Sequence, residues 1–123
     1  MTRISFAAVA VAALALAVGS AAMTHPKLTG TVGPGFTIDL KNAKGKKVTS
    51  LKAGTYTIAV TDKSAIHDYV LEGPGLGKKG KTITGVKFVG KASKTVTLKK
   101  GTYTFVCTPH RKVPSMKGTF KVT

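Results

Sequence analysis

Four side chains in the C-terminal half of the chain have the chemistry of metal ligands. Cys107, the only cysteine in the 123 residues, is followed by His110 and then by Met116, and His67 lies farther upstream. Two imidazoles, a thiolate and a weak thioether suit copper, which cycles between Cu(I) and Cu(II). Structural zinc sites usually take Cys and His ligands in closely spaced pairs, so the single cysteine argues against zinc. The donor set predicts one copper ion.

The spacing of these residues lets one loop supply three of the ligands. Cys107 ends a strand-like segment, and Pro109 stiffens the turn that leads to His110. Met116 comes just before the next strand-like segment, while His67 belongs to a different one. We therefore expect His67 to close the site from the core side.

Covalent catalysis is a poor fit to the same residues. A catalytic pair of Cys107 and His110 would need an exposed, activated thiolate and an oxyanion hole. No set of residues in the sequence resembles a general base beside a nucleophile. We expect the protein not to be an enzyme.

Period-two alternation of apolar and polar residues follows the N-terminal region and predicts strands rather than helices. In one such segment Tyr56, Ile58 and Val60 form the inward set, and in another Tyr103 and Phe105 share a face with the cysteine. Seven or eight short strands with glycine-rich turns indicate an all-β sandwich or barrel.

Two similar segments, residues 51–57 and 98–104, each carry a Leu-x-x-Gly-x-Tyr pattern. The pattern resembles a tyrosine corner, in which a buried tyrosine hydroxyl bonds back to the backbone where a Greek-key strand begins. We expect Tyr56 and Tyr103 to be structural rather than relays for electrons.

The first 22 residues have the features of a secretory signal peptide. Arg3 precedes an apolar run over residues 4–18, and small residues follow at 19–22. The run is long for a signal peptide, so an uncleaved membrane anchor is the alternative. We expect residues 23–32 to form a tail, residues 33–123 to form the metal-binding domain, and the protein to be periplasmic, cell-envelope or extracellular.

Export and charge restrict the partners that the chain can have. Export places the domain in an oxidising compartment, where metal ligation would protect a lone cysteine. The net charge of +16 arises from 20 Lys and Arg against four acidic residues. This charge favours an acidic redox partner or an anionic envelope surface. Nucleic-acid binding is disfavoured by export and by the scarcity of aromatics among the basic runs. We expect a monomer.

Two further motifs invite interpretations that we do not favour. Residues 75–82 match the string of a P-loop, but the residues that follow favour a strand, whereas phosphate binding needs a helix there. We expect a lysine-rich surface loop and no nucleotide. His25 would become the third residue after cleavage behind Ala22, which could create a square-planar Cu(II) site. The simpler alternative is a disordered tail.

The C-terminal motif resembles the cupredoxin family, in particular plastocyanin- and pseudoazurin-like members. Gly-Thr-Tyr-Thr-Phe-Val precedes Cys-Thr-Pro-His and a later Met, and residues 66–69 are similar to the family's upstream ligand strand. Residues 33–38 and 73–75 resemble bacterial plastocyanin-like domains. The likeness extends over most of residues 28–123. It implies a Greek-key β-sandwich of seven to eight strands.

The resemblance also implies a function and the residues that perform it. The site would be a type-1 (blue) copper bound by His67, Cys107, His110 and an axial Met116. Electrons would pass through the exposed edge of His110, so the protein would be a one-electron carrier. Two alternatives are a module that buffers or delivers copper without redox turnover, and a metal-free interaction sandwich.

The sequence departs from the family pattern at two positions. The segment between His110 and Met116 is longer than usual, which makes the thioether the least secure ligand. Asp68 stands where the family commonly has Asn, and we expect it to accept a hydrogen bond from Thr108 and to lower the copper potential. Arg111 and the adjacent lysine lie inside the same segment, either as solvated charges or as a docking site for an acidic partner.

Overall fold

The computed structural model describes residues 24–123, so the predicted signal peptide 1–22 lies outside the described residues. Within that range the chain forms nine strands and two short 3₁₀ turns. The strands are β1 Lys27–Val32, β2 Ile38–Lys41, β3 Ser50–Leu51, β4 Gly54–Asp62, β5 Tyr69–Glu72, β6 Lys81–Thr84, β7 Gly90–Leu98, β8 Gly101–Val106 and β9 Lys117–Val122. The turns are Thr108–His110 and Pro114–Met116. No helix in the described part is long and apolar enough to cross a membrane.

The strands form two mixed sheets that pack face to face. One sheet has the order β2-β1-β4-β7, and the other has the order β3-β9-β8-β5-β6. The β1–β4 and β3–β9 pairs are parallel, and the remaining pairs are antiparallel. The chain passes repeatedly from one sheet to the other. Since the described residues form two packed β-sheets, the expectation of an all-β sandwich is confirmed. The two-residue β3 brings the number of strands to nine rather than seven or eight.

The expected tail, residues 23–32, has to be shortened because most of it is strand β1. Leu28 and Val32 are buried, and the strand pairs with β4 along its whole length. Gly30 interrupts the apolar alternation, so the sequence pattern does not predict this strand. The missing side chain has a structural reason, since a Cβ at Gly30 would lie 2.8 Å from the ring of Tyr69. The domain therefore includes β1.

Aromatic rings fill the core beneath the second sheet. The Tyr69 and Phe105 rings are stacked with centroids 6.1 Å apart, and the Tyr103 and Phe120 rings are 5.6 Å apart. Such offset pairs stabilise a core beyond the area that they bury. Because Tyr103 and Phe105 point inward, the alternation along β8 directs the next odd residue, Cys107, toward the core as well.

Both tyrosine corners form as expected. The Tyr56 hydroxyl donates to the carbonyl of Lys52 at 2.6 Å. The Tyr103 hydroxyl donates to the carbonyl of Pro74 at 2.6 Å and accepts the Lys99 N–H at 2.9 Å. These hydroxyls satisfy backbone groups at strand ends, so the structural interpretation of both residues holds. The P-loop-like residues 75–82 lead into strand β6 and not into a helix.

Candidate metal centre

Four loops meet at one pole of the sandwich. β1 and β4 run in parallel and end together, since Val32 lies beside Asp62, and Asp62 lies opposite Gly90 at the start of β7. In the second sheet Val70, near the start of β5, lies opposite Val106 at the end of β8. We call these connections the β1–β2 loop (residues 33–37), the β4–β5 loop (residues 63–68), the β6–β7 loop (residues 85–89) and the ligand loop (residues 107–116).

Three of the four predicted ligands converge at this pole. The Nδ1 atoms of His67 and His110 are 3.1 Å apart. The sulfur of Cys107 lies 3.6 Å from Nδ1 of His67 and 3.4 Å from Nδ1 of His110. Donors bonded to a single ion at about 2.0–2.3 Å lie roughly 3–4 Å apart. The three atoms therefore fit one small ion, and they form a thiolate and bis-imidazole set of the copper type.

His67 is held from behind by the β1–β2 loop. The residue is fully buried, and its Nε2 lies 2.9 Å from the carbonyl of Gly35. A carbonyl can only accept, so this contact places the ring proton on Nε2 and leaves Nδ1 free to bind the ion. Gly33, with φ of +73°, lies so close that a Cβ would be 3.1 Å from Cδ2 of His67. The imidazole thus sits in a pocket that fixes both its tautomer and its orientation.

Cys107 points into the core from the end of β8, as its odd-numbered inward neighbours predict. Its side chain is fully buried, and its backbone N–H donates to the carbonyl of Met116 at 3.0 Å. The pKa of the Cys107 thiol is raised above its ordinary value, and burial is the largest of the several effects that act on it. Without a metal the thiol is therefore protonated, and a cation that binds here must displace that proton.

The ligand loop folds into consecutive turns that compensate for its length. Backbone N–H groups of His110, Val113 and Met116 donate in succession to the carbonyls of Cys107, His110 and Val113 at 3.1, 2.9 and 2.9 Å. The loop thereby returns Met116 to the side of Cys107, where its side chain is fully buried in the same apolar cluster. Ligation by Met116 stays a prediction.

Asp68 ties the two ligand-bearing loops together. One carboxylate oxygen accepts the Thr108 N–H at 2.6 Å, and the other accepts the Thr108 hydroxyl. The expected bond between these residues is therefore confirmed. Because Asp68 follows His67 and Thr108 follows Cys107, the bridge fixes the distance between two ligands.

Phe36 covers the site, which the sequence pattern does not reveal. Alternation with Ile38 and Leu40 places Phe36 on the inward face of a strand, yet it lies in the β1–β2 loop before β2 begins. Its ring meets the His67 ring edge-on at a centroid distance of 5.5 Å and the His110 ring at 5.0 Å. Its backbone carbonyl accepts the Ser115 hydroxyl at 2.5 Å. A half-exposed aromatic ring thus packs against both imidazoles.

Arg111 is engaged in an ion pair. Its guanidinium donates two hydrogen bonds to the carboxylate of Glu72, at 2.6 and 3.0 Å. The pair connects the ligand loop to the end of β5, and the neighbouring Lys112 is exposed. His25 precedes β1, at the end of that strand opposite the metal pole, and is not part of the cluster.

Comparisons with known proteins agree with this geometry. A family model described as copper binding proteins, plastocyanin/azurin family, matches residues 12–123. Among solved structures, reduced rusticyanin is 22% identical, with a TM-score of 0.56 over 79% of this chain and 78% of that chain. Rusticyanin from Thiobacillus ferrooxidans is 23% identical, with a TM-score of 0.53 over 79% of this chain and 76% of that chain. No curated protein sequence matches. At such identities the structural likeness establishes the fold.

Proposed function

The chain belongs to the plastocyanin/azurin family of copper-binding proteins, and we propose that it carries single electrons through one type-1 copper ion. The observation that carries this proposal is the convergence of the His67, Cys107 and His110 donor atoms within 4.8 Å of one another. When bound, copper supplies a one-electron couple between Cu(I) and Cu(II). In this function the protein is a carrier and not an enzyme.

Rigid placement of the ligands supports electron transfer rather than mere binding. His67 is fixed by the carbonyl of Gly35, and Cys107 by the backbone of Met116. The carboxylate of Asp68 holds the two ligand segments together. None of these contacts needs the ion, so the donor positions change little when the charge at the site changes. Small rearrangement favours fast exchange of an electron.

His110 offers the route for the electron. His67 and Cys107 are fully buried, whereas His110 is partly exposed beside Phe36. A partner can therefore approach the metal most closely at the outer edge of the His110 ring. The exposed Lys112 and the net charge of +16 favour an acidic partner at this place. We also propose export, which the arrangement of residues 1–22 supports.

Titration of the purified, metal-free protein with Cu(II) tests the proposal. We expect an intense visible band from charge transfer between the Cys107 thiolate and copper, and Cys107→Ser should abolish it. The bound copper should then be reduced and reoxidised reversibly. A colourless complex, with the thiol shown to be reduced beforehand, would contradict the proposed site. A blue complex that cannot be cycled would instead favour storage or delivery of copper.

A further inference from the structure

The exposed large hydrophobic residues of the described chain all lie at the metal pole. They are Phe36, Ile66, Val86, Phe88 and Val89. Phe36 belongs to the metal centre, where it contacts both imidazoles. The other four form what we call the apolar loop surface, which consists of Ile66 from the β4–β5 loop and Val86, Phe88 and Val89 from the β6–β7 loop. Single exposed apolar residues are ordinary, but their confinement to one pole marks an interaction site.

Backbone contacts hold the two loops of this surface together. The Lys87 N–H donates to the carbonyl of Ala65 at 3.1 Å, and the Phe88 N–H closes a turn onto Gly85 at 3.3 Å. Lys87 has a φ of +76°, a left-handed conformation that is uncommon for a residue with a side chain. The turn therefore places a cationic residue between Val86 and Phe88, both of which are substantially exposed.

Among residues 24–123, each of the four acidic side chains is either buried or engaged by a basic or backbone group. The sequence has only four acidic residues against 20 Lys and Arg. Asp62 and Asp68 are buried, and Glu72 is paired with Arg111. Asp39 accepts the Thr31 N–H and lies 3.9 Å from the Lys41 ammonium. The apolar loop surface thus lies on a molecule whose outer charge is positive.

We propose that the apolar loop surface docks onto an anionic phospholipid bilayer. The four apolar side chains would enter the boundary between headgroups and acyl chains, and Lys87 would remain at the phosphates. A hydrated polyanion such as a nucleic acid or an acidic glycan offers no partner for the apolar side chains. A protein interface usually adds direct hydrogen bonds, whereas the four side chains of this surface have no polar atom, and the hydroxyl of the neighbouring Ser64 already accepts the Ile66 N–H. Docking does not require copper.

The chain contains no tryptophan, so the fluorescence of a single introduced tryptophan reports docking at its own position. Val89→Trp places the probe on the apolar loop surface, and Lys121→Trp places it on exposed β9 toward the opposite pole. Vesicles of equal parts phosphatidylcholine and phosphatidylglycerol should shift the Val89→Trp emission to the blue. Vesicles of phosphatidylcholine alone should have a much smaller effect. Unchanged emission, or an equal shift for Lys121→Trp, would overturn the proposal.

Sedimentation with the same vesicles tests the side chains themselves. Val86→Ser combined with Val89→Ser should weaken binding about tenfold, because two apolar side chains stay in water. Lys87→Gln should weaken binding more than the matched Lys121→Gln does. All variants keep the complete chain, so any contribution of its apolar N-terminal residues is constant, and thermal unfolding checks that the fold is intact.

The remaining outcomes also decide the question. Binding that survives loss of both valines but disappears in high salt would show attraction by charge alone and would overturn docking by the apolar surface. A Val89→Trp response to an acidic c-type cytochrome, with none to vesicles, would replace the bilayer by a protein. Neither readout uses copper, so this proposal and the proposed electron transfer can fail separately.

Discussion

The β4–β5 loop and the ligand loop each bring one histidine to the metal, but they hold it differently. His67 is fully buried, and its second ring nitrogen is bound to the carbonyl of Gly35. His110 is partly exposed, and of its two ring nitrogens only Nδ1 takes part in hydrogen bonds within residues 24–123. The buried histidine therefore forms a fixed wall of the site, and the exposed one forms its opening.

This difference separates the two tasks of a redox centre. The wall has to keep its geometry when the charge of the metal changes, which requires a second contact for the ligand. The opening has to let a partner approach, which requires that one ligand have no protein group behind it. Both tasks are met because the two histidines come from different loops. The following changes test the division, starting with the largest expected effect.

Removing either imidazole should distinguish the wall from the opening. His67→Gly and His110→Gly should each lower copper affinity by more than the roughly 10- to 100-fold that loss of a supporting contact causes. Free imidazole should restore the visible band of His110→Gly at a lower concentration than that of His67→Gly. The reason is that the His110 side chain is partly exposed to solvent, whereas the fully buried His67 side chain lies behind the β1–β2 loop.

The comparison needs a control that lacks the thiolate ligand. Cys107→Ser should stay colourless at every imidazole concentration, because the band arises from the thiolate. Equal rescue of both glycine variants would contradict the division into wall and opening. Preferential rescue of His67→Gly would reverse it.

Replacing Met116 asks whether the ligand loop supplies three donors or two. Met116→Leu nearly conserves volume, so the free energy of unfolding of the metal-free protein should change by less than about 1.5 kcal/mol. The visible band should persist, because Cys107 and both histidines remain. The reduction potential should rise, since loss of an axial donor destabilises the more highly charged Cu(II).

Voltammetry of the copper-loaded variant measures this change. Leu71→Met is a matched control, because it makes the reverse exchange at another fully buried position of the core. It should leave the potential nearly unchanged. A Met116→Leu variant with the potential of the wild type would show that the thioether is not a ligand.

Asp68→Asn tests the bridge between the two loops. Asn can still accept the Thr108 N–H, but the bonds lose their charge-assisted character, so the free energy of unfolding should fall by about 1 kcal/mol. The reduction potential should rise, because a negative charge beside the metal favours Cu(II). Chemical denaturation and voltammetry give the two values. An unchanged or lower potential would reject the electrostatic role, whatever the stability.

The sequence predicts the parts of this site that depend on residue type and on local period. Cys107 and His110 stand a turn apart, and alternation along β8 is enough to point the thiol inward. His67 and Asp68 are adjacent to each other, so the bridge to Thr108 could be expected once the family resemblance was recognised. The sandwich follows from period-two patterns over most strands. Two strands escape: β1, because Gly30 replaces an apolar side chain where the Tyr69 ring needs space, and β3, because two residues are too few for a periodic pattern.

Contacts between distant loops could not be predicted in the same way. Phe36 belongs by its alternation to a core strand, and only the turn at residues 33–35 places its ring over the imidazoles. Arg111 and Glu72 are 39 positions apart, and no periodic pattern links them. Their meeting depends on the register between β5 and β8, which one sequence does not determine. The role of Arg111 therefore changes from free charge to loop contact.

Arg111 and Lys112 should consequently differ in their effects on stability and on electron transfer. This difference is the smallest effect that we expect. Arg111→Gln removes the ion pair with Glu72 and should lower the free energy of unfolding by about 0.5–1 kcal/mol, since both side chains are partly exposed. Lys112→Gln should leave stability unchanged. It should slow electron transfer to an acidic partner more than Arg111→Gln does, because Glu72 already neutralises the charge of Arg111. Stopped-flow rates at several salt concentrations measure the second effect, and added salt should reduce the difference between the variants. Equal slowing by both substitutions would show that the Arg111 charge still acts on the partner despite its bond to Glu72. In that case the opening of the site would be charged on both sides of His110, and the ligand loop would serve as docking surface along with its role in binding the metal.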